Sequence, residues 1–86
     1  MFWTIGKSYF VQTVTLYVTG CLTEMSDKEL VFADASYIAE TGRLADTMKN
    51  GNFAEVEPYS SSVLINRDSI VVAREWTLPL PMKQFP

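Results

Sequence analysis

The chain has 86 residues, of which 48% are apolar, 13% aromatic and 20% charged, and this composition predicts one small globular domain. It contains no histidine and one cysteine, which excludes histidine-based acid–base and nucleophile pairs, an intramolecular disulfide and the usual structural zinc sites. Ten acidic and seven basic residues give a net charge of -3 without a basic cluster, which argues against phosphate-backbone binding as the main activity.

The first half of the chain is strand-like. From residue 9 to residue 25, apolar and polar side chains alternate with a period of two, which is typical of a strand with one buried face. Gly20 lies within this run and predicts a sharp bend, so the segment forms either one long bent strand or two short ones. After the polar turn 26–28, the apolar run 29–35 predicts a strand that pairs with the first as a hairpin.

A helix is predicted between residues 36 and 50, because the apolar spacing there changes from two residues to three and four. Lys49, Asn50 and Gly51 are typical of a helix C-terminus. Gly42 disfavours a helix interior, so the helix begins either near residue 36 or only after Gly42.

The second half returns to extended structure. Residues 52–62 predict a loop with a short extended piece at 53–56, and residues 63–76 predict two short strands separated by a tight turn at 66–68. The last ten residues cannot continue a sheet because they contain three prolines. We therefore expect one β domain over residues 1–76 and an extended, proline-rich arm over residues 77–86.

Two motifs resemble those of the Sm-like small β-barrels. Residues 19–22, Asp27 and the run 30–35 are similar to the first motif, in which a glycine precedes a leucine on a bent strand and a turn aspartate leads to an apolar strand. Residues 63–71 are similar to the second motif, a polar turn between two short strands. The resemblance implies a mostly-β, strongly bent five-stranded SH3/Sm-like barrel whose edge strands pair between copies to close a ring.

The chain departs from the family pattern in three ways. RNA-binding Sm-like proteins follow the turn aspartate with a stacking residue and an asparagine, whereas here Lys28 and Glu29 follow Asp27. The second turn reads Asn-Arg-Asp where the family favours Arg-Gly, although Arg67 could still reach a phosphate or a base. The short helix is predicted between strands 3 and 4 and not before the first strand. The resemblance therefore supports the family's fold more than its RNA binding.

A ring would repeat each cation once per copy, so even an acidic chain could present a positive rim. The candidate residues for binding an anion are Lys28, Asn66, Arg67 and Arg74. The alternative is that Arg67 pairs at the surface with Asp68 or with an acid of a neighbour.

Aromatic residues exceed what a thin core needs, and those near the termini or on the outward parity are candidate interface anchors. They are Trp3, Tyr17, Tyr59 and Trp76. The arm that follows Trp76 is interpreted either as a segment lying across a neighbouring subunit or as a disordered tail.

These residues together predict a non-enzymatic, ring-forming homo-oligomer that holds an anionic small ligand or a nucleotide between copies. The alternative is a Sm-like protein that binds short RNA, with Arg67 and Tyr17 or Tyr37 contacting bases. A third hypothesis, an enzyme or metal site built on Glu55 and Glu57, is disfavoured because two carboxylates beside a proline on a loop are usually solvated. We expect no cofactor.

The apolar runs are far shorter than the ~20 residues that span a bilayer, and residues 1–7 lack the basic and apolar regions of a secretory leader. Cys21 requires no oxidising compartment and is interpreted as a small packing residue. We therefore expect a cytoplasmic protein without membrane contact, of a kind that suits a phage genome as well as a bacterial one.

Overall fold

Six strands form one antiparallel sheet in the computed structural model, which describes residues 2–86. The strands are β1 (Ser8–Thr13), β2 (Tyr17–Met25), β3 (Glu29–Glu40), β4 (Glu55–Pro58), β5 (Val63–Asn66) and β6 (Ile70–Glu75). The helix α1 spans Leu44–Asn50, and a 3₁₀ turn spans Arg67–Ser69. The strand order is β4-β3-β2-β1-β6, and β5 pairs with β3.

The sheet is strongly curved because β5 and β6 pair with different strands and yet are joined by a very short connection. β5 pairs with the first part of β3, whereas β6 pairs with β1 on the other side of β2. Only the three residues of the 3₁₀ turn join β5 to β6, so β1 and β3 must curl toward each other. This arrangement fits a small β-barrel and confirms the prediction of a mostly-β fold with one short helix after the third strand.

Gly20 and Asp34 allow the bend between β2 and β3. The register of the two strands shifts between Thr19 and Cys21, on either side of Gly20. A Cβ at Gly20 would lie 2.8 Å from the Cβ of Phe32, so only glycine permits this approach. Asp34 has φ 50, a left-handed backbone conformation within β3. β3 therefore changes direction and pairs with β5 before the bend and with β4 after it.

The number of strands and the start of the helix differ from two of the predictions. The prediction of five strands is wrong, because residues 55–58 form β4 alongside β3, with Val56 opposite Ile38. Residues 36–40 belong to β3 and not to the helix, since they pair with β2 and β4. The helix begins after Gly42, and it ends at Gly51, whose backbone N–H donates to the Thr47 carbonyl oxygen at 2.9 Å.

Both faces of the sheet are buried, each against a separate apolar cluster. The inner cluster fills the concave side and consists of Tyr9, Val11, Val18, Leu22, Leu30, Phe32, Ala35 and Ile65. The outer cluster lies on the opposite face and consists of Phe10, Ile38, Phe53, Val56 and Trp76. Because side chains alternate along a strand, Phe10 joins the outer cluster while Tyr9 and Val11 join the inner one.

Residues 77–86 lie over the outer cluster, where Leu78 and Leu80 pack against it. Phe85 forms an isolated antiparallel bridge with Val56 on the outer edge of β4. The proline-rich segment thus covers part of the chain's own sheet. Within the described residues, no helix has the length and apolar character that crossing a membrane requires.

Candidate functional site

The 3₁₀ turn and the β2–β3 turn lie side by side at one end of the sheet. The Arg67 guanidinium donates through Nη1 to the carbonyl oxygen of Ser26 at 2.7 Å. The Arg67 backbone N–H donates to the carbonyl oxygen of Lys28 at 2.8 Å. Asn66 lies opposite Glu29 in the register of β5 and β3. Three of the four predicted anion-binding residues, Lys28, Asn66 and Arg67, are therefore brought together.

Local hydrogen bonds fix the shape of both turns. The Asn66 side-chain oxygen accepts from the Asp68 backbone N–H at 2.8 Å, and the Ser69 hydroxyl donates to the Asn66 carbonyl oxygen at 2.7 Å. The Ser26 hydroxyl accepts from two backbone N–H groups of its own turn, at 3.3 and 3.1 Å. These bonds are typical of Asx and serine turns, and they hold Arg67 in place by its backbone.

Carboxylates surround the cations of this site. Asp27, Glu29 and Asp68 are exposed in the same two turns as Lys28 and Arg67. Three acids against two bases leave one copy of the site slightly negative. The Arg67 guanidinium is directed to a carbonyl oxygen and forms no salt bridge with Asp68, since the salt bridge found within residues 2–86 joins Lys7 and Glu75. A single copy therefore presents no positive surface here.

Arg74, the fourth predicted anion-binding residue, lies apart from the other three. It is exposed on β6, opposite Phe10 of β1 and four residues beyond Ile70, the first residue after the 3₁₀ turn. At a rise of about 3.3 Å per residue, this places Arg74 roughly 13 Å farther along the strand. One copy of the chain does not bring Arg74 and Arg67 to a common site.

The four predicted interface aromatics occupy very different environments. Trp76 is 5% exposed within the outer cluster, and its indole Nε1 donates to the Pro79 carbonyl oxygen at 3.3 Å. Trp3 is half-buried against the inner cluster, with its ring 4.9 Å from that of Tyr9. Tyr17 is half-buried beside the outer cluster, whereas Tyr59 is 39% exposed. Tyr59 thus offers the largest exposed fraction of the four.

The site that sequence reasoning did not locate is a pair of open strand edges. β5 pairs with β3 alone and β6 with β1 alone, so each has one free edge. Leu64 of β5 is 56% exposed, and Val71 and Val72 of β6 are 58% and 54% exposed. The sequence contains short apolar runs on both sides of the turn 66–68, which predict the two strands. These runs do not show which edge of each strand stays unpaired.

Backbone groups of β6 alternate between its partner strand and the free edge. The Trp76 backbone N–H donates to the Ser8 carbonyl oxygen at 2.8 Å. Counting back in steps of two along an antiparallel pair, Arg74 and Val72 also direct their backbone groups toward β1. Ala73 therefore directs its N–H and carbonyl groups outward.

Glu55 and Glu57 are both exposed on β4. Among residues 2–86, no group of three or more cysteine, aspartate or glutamate side chains is placed to hold a metal ion. No known protein family, no curated protein and no solved structure matches the chain. The resemblance to the Sm-like barrels therefore stays a prediction.

Proposed function

We propose that the protein is a non-enzymatic homo-oligomer whose copies join through the free edges of β5 and β6 to form a ring. The observation that carries this proposal is the pair of open edges with the exposed apolar residues Leu64, Val71 and Val72. An open apolar edge is a template for pairing with another chain, and natural monomers usually protect such edges with charges, prolines or bulges. In a homo-oligomer, further copies of this chain would cover both edges.

The two edges differ from each other, which favours a ring over a symmetric dimer. Pairing β5 of one copy with β6 of the next is a head-to-tail contact, and such contacts close into rings when the rotation between copies fits. The resemblance to Sm-like barrels supports the same arrangement, since edge strands pair between copies in that family.

The size of the contact also favours closure. Three apolar side chains that are each about half exposed contribute roughly 1 kcal/mol apiece when covered, and each new backbone hydrogen bond adds about 1 kcal/mol. One such contact is comparable to the 4 kcal/mol or more that association costs. In a closed ring every copy makes two contacts, so the ring is more stable than an open pair.

The anionic ligand would bind at the adjacent turns that contain Lys28, Asn66 and Arg67. Arg67 uses one guanidinium nitrogen on Ser26, which leaves further N–H donors for a phosphate or a carboxylate. Because the local carboxylates outnumber the cations, an anionic small ligand or a nucleotide requires cations from more than one copy. Arg74 lies on the outer face and adds to the charge of a different part of the rim.

Native mass spectrometry of the full chain at micromolar concentration tests the assembly. We expect one closed species containing several copies, with little dimer or trimer. A monomer at this concentration would overturn the proposal, because the free edges of β5 and β6 would then have no role in association.

RNA binding in the Sm manner is a second candidate, favoured by the contact between Arg67 and the β2–β3 turn. Stacking on a base would have to use an aromatic side chain other than the family's, because Lys28 and Glu29 follow Asp27. Fluorescence anisotropy with uridine-rich and adenine-rich oligomers at low salt tests it, with Arg67→Ala as the matched variant. Binding that Arg67→Ala abolishes would support this candidate, and no binding at low salt would exclude it, since electrostatic attraction is strongest there.

A further inference from the structure

Residues 77–86, hereafter the C-terminal segment, occupy the outer cluster in the manner of a bound peptide. Leu78 and Leu80 are inserted toward the cluster, one residue apart from each other. Each leucine is followed by a proline whose carbonyl oxygen accepts a hydrogen bond, Pro79 from Trp76 Nε1 at 3.3 Å and Pro81 from the Ser36 hydroxyl at 2.7 Å. Alternating apolar anchors with accepting proline carbonyls are the features by which extended proline-rich peptides are recognised.

The C-terminal segment is held by few backbone bonds. It adds no strand to the sheet, and its one ladder contact is the bridge in which the Val56 N–H donates to Phe85 O at 2.6 Å and the Phe85 N–H donates to Val56 O at 3.0 Å. A cavity of ≈ 280 Å³ remains beside it, lined in part by Phe53, Pro81 and Lys83. None of the six strands includes a residue of the segment, so its departure would remove the Val56–Phe85 bridge but no pairing between named strands.

Trp76 marks the point where the separable part begins. Its side chain is buried between Phe10 and Phe53, with ring distances of 5.9 and 5.5 Å. Thr77, the next residue, is exposed. A change of backbone direction at Thr77 redirects the whole segment while Trp76 stays in its own outer cluster.

We propose that in the assembled protein the C-terminal segment of one copy occupies the outer cluster of a neighbouring copy. The exchange replaces each contact of the segment within its own chain with the same contact in a neighbouring chain. Its equilibrium therefore depends on the local concentration of neighbouring outer clusters, and no new type of contact is needed. The segment leaves from the end of β6, and this part of the inference rests on the proposed assembly, in which the free edge of β6 faces the next copy.

The length of the segment is sufficient for the exchange. Ten residues in polyproline-type extension reach about 31 Å. The chain measures 34 × 25 × 23 Å along its principal axes. A segment that starts at the border between two copies can therefore lie across most of the neighbour.

Disulfide trapping between full-length chains tests the exchange. Val56 and Phe85 exchange both hydrogen bonds, which places their Cα atoms about 5.5 Å apart, within the range that a disulfide needs. One chain carries Val56→Cys and the other Phe85→Cys, each with Cys21→Ser to remove the native thiol. The two chains are mixed in equal amounts, allowed to reassemble and oxidised, and the products are separated without reductant.

We expect a mixed disulfide dimer to form on the order of ten-fold faster than in a control mixture, because exchange raises the local concentration of the two thiols. The control mixture pairs Phe85→Cys with Val14→Cys, whose position is 76% exposed and outside the outer cluster. A single chain carrying both Val56→Cys and Phe85→Cys must oxidise, which verifies that the pair has suitable geometry.

Two results separate this inference from the proposed assembly. If native mass spectrometry shows the oligomer but the mixed disulfide forms no faster than in the control mixture, the exchange is wrong and the assembly stands. If the mixed disulfide forms quickly while the free edges of β5 and β6 prove unnecessary for association, the exchange stands and the edge-to-edge ring is wrong.

Discussion

Gly20 of β2 lies directly against Phe32 of β3, so closely that a Cβ on Gly20 would be 2.8 Å from the Cβ of Phe32. The carbonyl oxygen of Ala33 and the Cβ of Ala35 would lie 3.2 and 3.3 Å from it. Two strands can approach in this way only where one of them lacks a side chain. This contact permits the bend between β2 and β3.

Gly20→Ala is expected to destabilise the fold by about 1–3 kcal/mol, the usual effect of adding a methyl group to a packed interior. The neighbouring atoms are backbone or Cβ atoms, which cannot move aside as the end of a flexible side chain can. Urea denaturation measures the free energy of unfolding. Glu24→Ala, an exposed site on the same strand, is the control and should change it far less. Equal stabilities of the two variants would contradict the role assigned to Gly20.

We expect replacement by valine to have opposite effects on stability at two buried threonines. Thr19 Oγ1 is buried without a hydrogen-bond partner. The Thr47 hydroxyl donates to the Thr41 carbonyl oxygen at 2.7 Å and lies 2.8 Å from that of Asn52. A buried hydroxyl without a hydrogen-bond partner destabilises the folded state, whereas one with a partner offsets the cost of its burial.

Thr19→Val is therefore expected to stabilise the protein by about 1 kcal/mol, and Thr47→Val to destabilise it by roughly 1–3 kcal/mol. The two substitutions have the same change in shape, so each is the control of the other. Thermal and urea unfolding of both variants measure the difference. A loss of stability in Thr19→Val would show that its hydroxyl has a partner in solution.

Trp76→Ala is expected to destabilise the folded chain by about 3–5 kcal/mol, because it removes a large side chain from the outer cluster. It also removes the donor to Pro79, so the C-terminal segment should become more accessible to proteolysis. Tyr59→Ala is the control, since Tyr59 is 39% exposed and should contribute little to stability. Unchanged stability of the Trp76→Ala chain would contradict the contribution of Trp76 to the outer cluster.

Features that depend on neighbouring residues could be predicted from the sequence. The two-residue period predicted extended structure over residues 9–25, but it placed the break at Gly20, whereas β1 ends at Thr13 and β2 runs from Tyr17 through Gly20 to Met25. The polar triplet at residues 66–68 correctly predicted the turn between β5 and β6. Lys28 and Arg67 were assigned, with Asn66 and Arg74, to an anion site that a ring would repeat, and the structure places the turns of Lys28 and Arg67 side by side. In each case the local pattern contains the information that decides the structure.

Features that depend on distant contacts could not be predicted. Residues 36–40 have helix-like spacing, but Ile38 pairs with Val56 and so remains in β3. The burial of Trp76 requires Phe10 and Phe53, which are far away in sequence. The separation of Arg74 from Arg67, by contrast, needs no distant contact, because it follows from the extended path of β6, a strand that was predicted.

Ala73→Pro tests whether the free edge of β6 joins the copies. Ala73 directs its backbone N–H away from β1, so proline removes a donor that only a neighbouring copy would use. We expect this chain to fold and to remain monomeric in native mass spectrometry. Val72→Pro is the matched variant, because the N–H lost there faces β1, and we expect it to destabilise the fold by about 1–3 kcal/mol through the acceptor left unpaired.

A charge on each edge gives a second test that does not alter the backbone. Leu64→Lys and Val71→Lys replace exposed apolar residues on β5 and β6, and lysine is a common protection of natural edge strands. Either substitution alone should reduce the oligomer, because every contact of the ring uses one β5 edge and one β6 edge. If Ala73→Pro, Leu64→Lys and Val71→Lys chains all assemble as the parent chain does, the copies meet through another surface.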